Sequence, residues 1–225
     1  MICKIKIIGL GPGDVELLSC KGKSYIEKSN LIIGNQRHIE SVQSICLLER
    51  CVVLNKITEI AEILKNELAY QGENRLVSVI VSGDTGFYSL LDYIMRSIPS
   101  KFHENIEVIP AISSFQYMFG KLKKCWHNYL LVSLHGRDLD FIPHLNFSKD
   151  GIVMLTDKHN NWKTISKKLI VNNLNDIQVI IGENLSYENE KIYSFKVSQY
   201  ESYNFSTDTP SVIVLEKRSE RCAHI

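Results

Sequence analysis

Cys3-Lys4-Ile5-Lys6-Ile7-Ile8 runs directly into Gly9-Leu10-Gly11-Pro12-Gly13-Asp14. The first six residues are rich in β-branched side chains and read as a strand. The next six are small residues, a proline and an acid, and read as the loop that leaves it. That loop does not suit a dinucleotide. A pyrophosphate fingerprint needs a third glycine at position 14 and an acid about 20 residues further on, whereas the chain has Asp14 and then Gly34. Pro12 removes an N–H that a phosphate would use, and Asp14 would repel an anion at the following helix terminus. Three glycines still let the backbone approach a ligand closely, and Asp14 is a good N-cap. The plainer reading is a tight strand-to-helix turn capped by an aspartate.

Working outward, segments 3–8, 30–33, 51–54, 76–81 and 106–109 read as strands. Ile57, Ile60, Ala61, Leu64 and Leu68 fall on one face of a 3.6-residue period, which predicts a helix over 58–70. Val15, Leu18, Tyr25 and Ile26 do the same for an earlier helix opening at Asp14. Strand, helix, strand in repetition predicts a mainly parallel sheet with helices on both faces and functional loops at the carboxyl ends of its strands. Pro110 interrupts the pattern, so the domain boundary is expected there, giving an N-terminal α/β domain, 1–110, and a C-terminal α/β domain, 111–225. The second begins with a helix over 113–122, strands 130–134 and 152–155, a helix carrying Trp162, Ile165 and Leu169, and a strand over 177–181. Segments 191–195 and 212–216 then read as strands with no evident helix between them, so this sheet is expected to be mixed, ending in an antiparallel portion. Residues 219–225 read as a frayed tail.

The chain has 225 residues, 44% hydrophobic and 23% charged, which suits a soluble globular protein and argues against disorder and fibres. Its 26 Lys+Arg balance 25 Asp+Glu to a formal charge of +1, so no domain-wide basic field exists to gather nucleic acid. No apolar run approaches the ~18 residues of a membrane span, and Gly-Pro-Gly-Asp stands where a signal-peptide cleavage site would be needed. A cytoplasmic location without membrane contact is expected. The six cysteines, Cys3, Cys20, Cys46, Cys51, Cys125 and Cys222, form no C-x-x-C pair and read as reduced thiols. The seven histidines are equally dispersed, so no metal is expected.

Two further loops follow strands. Ser82-Gly83-Asp84-Thr85-Gly86-Phe87-Tyr88 clears space at the end of the fourth, with Ser82 and Asp84 as polar anchors. Pro110-Ala111-Ile112-Ser113-Ser114 follows the fifth, and Ser113 or Ser114 can cap the next helix. Three small-residue loops at strand ends of one sheet are expected to converge on one crevice, which raises a functional reading above three separate turns.

In order and spacing, these three motifs resemble the tetrapyrrole methylase family, whose members use S-adenosylmethionine. Ser133-Leu134-His135-Gly136-Arg137, Leu155-Thr156-Asp157 and Gly182-Glu183-Asn184-Leu185 are similar to one branch, the cobalt-precorrin-7 (or precorrin-6Y) C5-methyltransferases of cobalamin synthesis. The resemblance runs from Ile7 to about Leu215, departing at Thr85, where proline is frequent, and at Ala111, where glycine is usual. It implies the two-domain tetrapyrrole methylase fold, a homodimer, and S-adenosylmethionine in a cleft between domains. By position, Leu10, Gly11 and Gly13 would approach the cofactor. Asp84, Gly86 and Phe87 would hold its ribose and amino-acid end, Ser113 and Ser114 its polar groups, and Leu155 and Thr156 would come near the adenine. The residues agree, because this cofactor has no phosphate and carries a sulfonium cation.

The corrinoid substrate so implied is a polycarboxylate. Asp14, Ser82 and Arg137 are expected on its side of the site, Arg137 gripping a carboxylate arm. His135 is the candidate base for a proton released after methyl transfer, against the plainer reading of a structural histidine. Lys158 and the Lys121, Lys123 and Lys124 cluster read as solvated charges, and Trp126, Tyr129 and Trp162 as core more than cleft. C15 methylation and decarboxylation are expected from a separate partner enzyme. Two other readings compete: a family relative acting on RNA or protein, and a non-catalytic ligand-binding module.

Overall fold

The computed structural model describes residues 3–209 and 211–217, so Cys222 and the expected tail over 219–225 lie outside the described residues. The chain divides into two compact units, Met1–Ser113 and Ser114–Ile225. The division follows Ser113 instead of Pro110 because the intervening loop stays bonded to the first sheet, the Ala111 N–H donating to Asp84 Oδ2 at 3.2 Å.

The first unit contains strands β1 (Cys3–Gly9), β2 (Leu31–Gly34), β3 (Cys51–Val53), β4 (Arg75–Val81) and β5 (Ile106–Ile109). They form one sheet in the order β3-β2-β4-β1-β5. Every neighbouring pair is parallel, as the alternation of strands with helices predicts. Its helices are α1 (Cys20–Lys28), α2 (Gln36–Val42), α3 (Glu59–Ala69) and α4 (Leu91–Ser97). Successive residues of a strand point to opposite faces. Ile7 therefore packs with Ile60 and Leu64 of α3 and Ile94 of α4, while Ile8 packs with Ile26 of α1 and Ile39 and Val42 of α2. Each such side chain, fully buried, contributes roughly 1.5–3 kcal/mol of transfer free energy.

The helix expected to open at Asp14 does not. Asp14 Oδ1 accepts from the Glu16 N–H at 2.9 Å, which caps only a 3-10 turn over Val15–Leu17. The α-helix starts afresh at Cys20, where Ser19 Oγ accepts from the Gly22 N–H at 3.1 Å. Gly22 has no side chain to spare there, since a Cβ would lie 2.9 Å from Ile8 Cγ2.

The second unit contains α5 (Ser114–Leu122), β6 (Tyr129–Ser133), α6 (Ile142–Phe147), β7 (Gly151–Leu155), α7 (Trp162–Val171), β8 (Gln178–Glu183), β9 (Lys191–Lys196) and β10 (Ser211–Glu216). The sheet order is β6-β7-β10-β8-β9. β6 and β7 are parallel, and β10 lies antiparallel between β7 and β8, with β9 antiparallel outside β8, giving the expected mixed sheet. One face packs Leu145, Trp162 and Leu169 onto Met154, Ile181 and Ile213. Trp162 is core, its indole N–H donating to the Ser206 carbonyl at 3.0 Å, whereas Trp126, expected there too, is exposed. Tyr129 is buried too, its hydroxyl donating to Glu216 Oε1 at 2.6 Å, and burial, with that carboxylate second, pushes the phenol pKa up. Lys121 and Lys124 are paired with Glu190 and Glu216. Among the described residues, no helix is long and apolar enough to cross a membrane.

Candidate active site

β4, β1 and β5 are consecutive in the sheet and run the same way, so the loops that leave them emerge from one edge. They also bond to one another. The Leu10 N–H donates to the Val81 carbonyl at 2.9 Å. Gly11 and Gly83 exchange backbone hydrogen bonds in both directions, at 3.2 and 2.9 Å, as an isolated antiparallel bridge. Both adopt positive φ, +75° and +62°, a region that suits glycine far better than a residue with a Cβ. Gly9 is needed for space, because a Cβ there would lie 2.6 Å from the Gly83 carbonyl oxygen and 2.9 Å from Ala111 Cβ. Asp84 closes the third side. Its Oδ1 accepts from the Gly86 N–H at 2.8 Å and its Oδ2 from the Ala111 N–H at 3.2 Å, joining the second loop to the third.

This arrangement selects among ligands. An anion site at strand ends needs free backbone N–H groups. Here those of Leu10, Gly11, Gly83, Gly86 and Ala111 are already engaged, and position 12 is a proline. What the cluster adds is a carboxylate and close-set small residues. A nucleotide's phosphates fit poorly; a ligand that is cationic and lacks phosphate fits.

A second cluster lies on the other unit, where β6 and β7 run parallel and release their loops side by side. Asp157 organises it. One carboxylate oxygen accepts from the Gly136 N–H at 2.7 Å, the other from the His159 and Asn160 N–H groups at 2.8 Å each. Burial alone would raise the acid's pKa, but these backbone donors outweigh it and hold the group down at about 2. Asn160 Nδ2 donates to the Leu134 and Arg137 carbonyls at 2.9 and 3.3 Å, pinning the loop from both sides. The pinned loop presents His135 and Arg137, both exposed. His135 Nδ1 lies 3.1 Å from the Thr156 carbonyl. A carbonyl only accepts, so Nδ1 carries the hydrogen and the neutral ring keeps its lone pair on Nε2.

Several expected residues sit differently from a simple ligand contact. The Leu10 side chain is in the core under the first loop, leaving its backbone at the site. Asp84 is a latch between loops as well as a negative charge. Thr156 is buried and fully engaged: its N–H and hydroxyl both donate to the Ser211 carbonyl, at 3.1 and 2.7 Å, and its carbonyl serves His135. Gly13, Asp14 and Phe87 are half-buried on the loops described, Ser82 and Gly86 are exposed, Ser113 is buried, Ser114 opens α5 half-buried, and Leu155 ends β7 half-buried. Sequence reasoning overlooked Asp157 and Asn160 as the supports of the His135 loop; an aspartate and an asparagine just past a strand end were the available signal. Glu183, quoted in the Gly182–Leu185 motif without a role, is buried at the end of β8, where burial pushes its acid pKa up against the opposing pull of Lys191. Among the described residues no group of three or more His, Cys, Asp or Glu is placed to hold a metal ion.

The sequence profile of the Tetrapyrrole (Corrin/Porphyrin) Methylases matches residues 4–201. The chain belongs to that family. Among tetrapyrrole methylases it is similar to the Methanocaldococcus jannaschii protein named "Probable cobalt-precorrin-7 C(5)-methyltransferase". The two are 34% identical over 205 residues, 90% of this chain and 93% of that one. Its fold is similar to that of the precorrin-6Y methylase of cobalamin biosynthesis from Archaeoglobus fulgidus, with a TM-score of 0.71, 23% identity, and 96% and 99% of the two chains covered. It is similar also to that of the uroporphyrin-III C-methyl transferase from Thermus thermophilus complexed with S-adenyl homocysteine, with a TM-score of 0.74, 18% identity, and 94% and 96% covered. The tetrapyrrole methylase fold is thus that of both units described above, a parallel sheet and a mixed one.

Proposed function

We propose that this tetrapyrrole methylase is an S-adenosylmethionine-dependent C-methyltransferase acting on C5 of cobalt-precorrin-7, or of precorrin-6Y, in cobalamin biosynthesis. The observation that carries the reading is the loop cluster at the ends of β4, β1 and β5, where the N–H groups of Leu10, Gly11, Gly83, Gly86 and Ala111 are engaged within the cluster, those of Gly86 and Ala111 by the Asp84 carboxylate. That chemistry favours a phosphate-free cation. The likeness to the M. jannaschii relative supplies the substrate.

S-adenosylmethionine, when bound, supplies an electrophilic methyl group on a sulfonium. The chain's own part is to position and to exclude. The backbones of Leu10, Gly11 and Gly13 approach the donor, with Asp84, Gly86 and Phe87 at its ribose and amino-acid end and Ser113 and Ser114 at its polar groups. Leu155 and Thr156 take the adenine end, Thr156 through its shape because its polar atoms are engaged. Asp14, Ser82 and Arg137 face the corrinoid, Arg137 pairing with a carboxylate arm. His135 Nε2 accepts the proton released at the macrocycle, its ring oriented by the Thr156 carbonyl. The enzyme works as a cytoplasmic homodimer, and a separate enzyme carries out C15 methylation and decarboxylation.

Incubation of the pure protein with methyl-labelled S-adenosylmethionine and cobalt-precorrin-7, followed by NMR location of the label, tests this. Label at C5 is expected. Label elsewhere refutes the assignment, and donor binding without transfer to any corrinoid makes the chain a binding module instead.

A further inference from the structure

In the first unit, the link between α2 and β3 brings two thiols together. Leu48–Arg50 forms a 3-10 turn that folds the chain back, the Arg50 N–H donating to the Leu47 carbonyl at 3.0 Å. Cys46 Sγ and Cys51 Sγ are left 3.7 Å apart. Of the free cysteines Cys3, Cys20, Cys46, Cys51 and Cys125, these two touch. A disulfide needs about 2.05 Å between sulfurs, so closing it asks for under ~2 Å of approach between two half-buried side chains.

The two sulfurs are not equivalent. Cys51 begins the edge strand β3, and its S–H points at the Leu47 carbonyl, 3.6 Å away. Burial and the neighbouring Cys46 sulfur push its pKa up to about 11, so it stays a thiol at neutral pH. Cys46 lines a surface concavity of about 510 Å³ with Lys23, Glu27, Ser44, Leu47 and Arg50. Two cations beside one carboxylate suit a small molecule that carries carboxylates and an ammonium group, as peptide thiols do.

We propose that Cys46 and Cys51 form a reversible dithiol–disulfide site oxidised by a low-molecular-weight, amino-acid-type disulfide of the glutathione class docked between Lys23, Glu27 and Arg50. The Cys46 sulfur, having given up its proton, attacks one sulfur of the small disulfide. A mixed disulfide forms, and the departing thiolate takes up a proton. Cys51 then loses its proton and attacks the Cys46 sulfur, forming the internal disulfide and expelling the second small thiol. In sum, two protein thiols are oxidised to one disulfide and one small disulfide is reduced to two thiols. The site is independent of the methyltransferase reading.

Oxidised glutathione is the probe. The native full chain is incubated with it, free thiols are alkylated with iodoacetamide after denaturation, and the tryptic peptides 38–50 and 51–56, which a Cys46–Cys51 bond would join, are examined by mass spectrometry without reduction. The wild type is expected to lose two hydrogens across Cys46 and Cys51, with neither residue alkylated, and to regain both thiols on reduction. Cys51→Ser is expected to trap one glutathionyl group on Cys46, and Cys46→Ser to leave Cys51 open to alkylation. The proposal is overturned if wild-type Cys46 and Cys51 both remain alkylatable. It is overturned equally if Cys46 retains glutathione without closing onto Cys51, or if either pairs with another cysteine. The wild-type outcomes decide it even where a variant fails to fold.

Discussion

Replacing Gly9 with alanine asks whether the three loops must touch. Gly9 ends β1, and the new Cβ would stand 2.6 Å from the Gly83 carbonyl oxygen, 2.9 Å from Ala111 Cβ and 3.3 Å from the Ala111 nitrogen. Carbon and oxygen do not sit that close, and none of these atoms belongs to a flexible side-chain end that can swing away. The second and third loops must therefore both retreat by several tenths of an ångström, which strains the Gly11–Gly83 bridge and the Asp84 bond to Ala111. Overpacking of this kind costs about 1–3 kcal/mol, and a backbone obstacle places Gly9→Ala near ~3 kcal/mol. For a chain of this size that corresponds to a melting temperature lower by roughly 10 °C. Because the displaced loops are the proposed donor-binding surface, affinity for S-adenosylhomocysteine in calorimetric titration should fall at least ~10-fold, about 1.4 kcal/mol. Gly120→Ala is the matched control. It lies in α5 with no heavy atom within 4 Å of its Cβ position, so it should gain about 0.5–1 kcal/mol of helix stability and leave binding unchanged. A Gly9→Ala protein that melts and binds like wild type would refute the claim that contact between the loops builds the site.

Other outcomes follow from the second cluster. His135→Ala should lower kcat about 10²-fold with little change in donor affinity; full turnover at saturating substrate would remove the base role. Arg137→Ala should raise the KM for the corrinoid about 10-fold or more and spare donor binding, and an unchanged KM would dispose of the carboxylate clamp. The Asp157 acid titrates at about 2 in the folded chain against 3.8 ordinarily. Its depressed pKa means that its contribution is complete above pH ~4 and disappears as pH falls through about 2. Denaturant titrations of wild type and Asp157→Asn should thus differ by a constant amount from pH 4 to 7 and converge below it; a gap that widens toward low pH would contradict the assignment.

Much of the fold could be read from local sequence because parallel strands buried on both faces are continuous β-branched runs. Ile5, Ile7 and Ile8 or Val77, Val79 and Ile80 announce themselves in this way. The helices α2, α4 and α6 did not, since at seven, seven and six residues they hold too few turns for a period to emerge. The start of α1 was misplaced because two capping residues, Asp14 and Ser19, stand five positions apart, and nothing local says which one holds a full helix. The convergence of the loops was expected from the small residues at three strand ends, while the adjacency of β4, β1 and β5 that produces it is seen in the sheet order. The engagement of Asp84 with Ala111, 27 residues on, and of Thr156 with Ser211, 55 residues on, was not. Those partners are chosen by tertiary packing, and a side chain's type states only what it can bond, not which neighbour reaches it first.

The placement of β10 has a consequence for biogenesis. Residues 211–216 fill the middle of the second sheet, between β7 and β8. Until they emerge from the ribosome, β6-β7 and β8-β9 are two separate ribbons, each with an unsatisfied inner edge. The first unit can close its sheet once β5 has been made, whereas the second has to wait for its keystone. Nascent chains stalled before residue 211 should accordingly carry a finished first half and a sticky, chaperone-dependent second half.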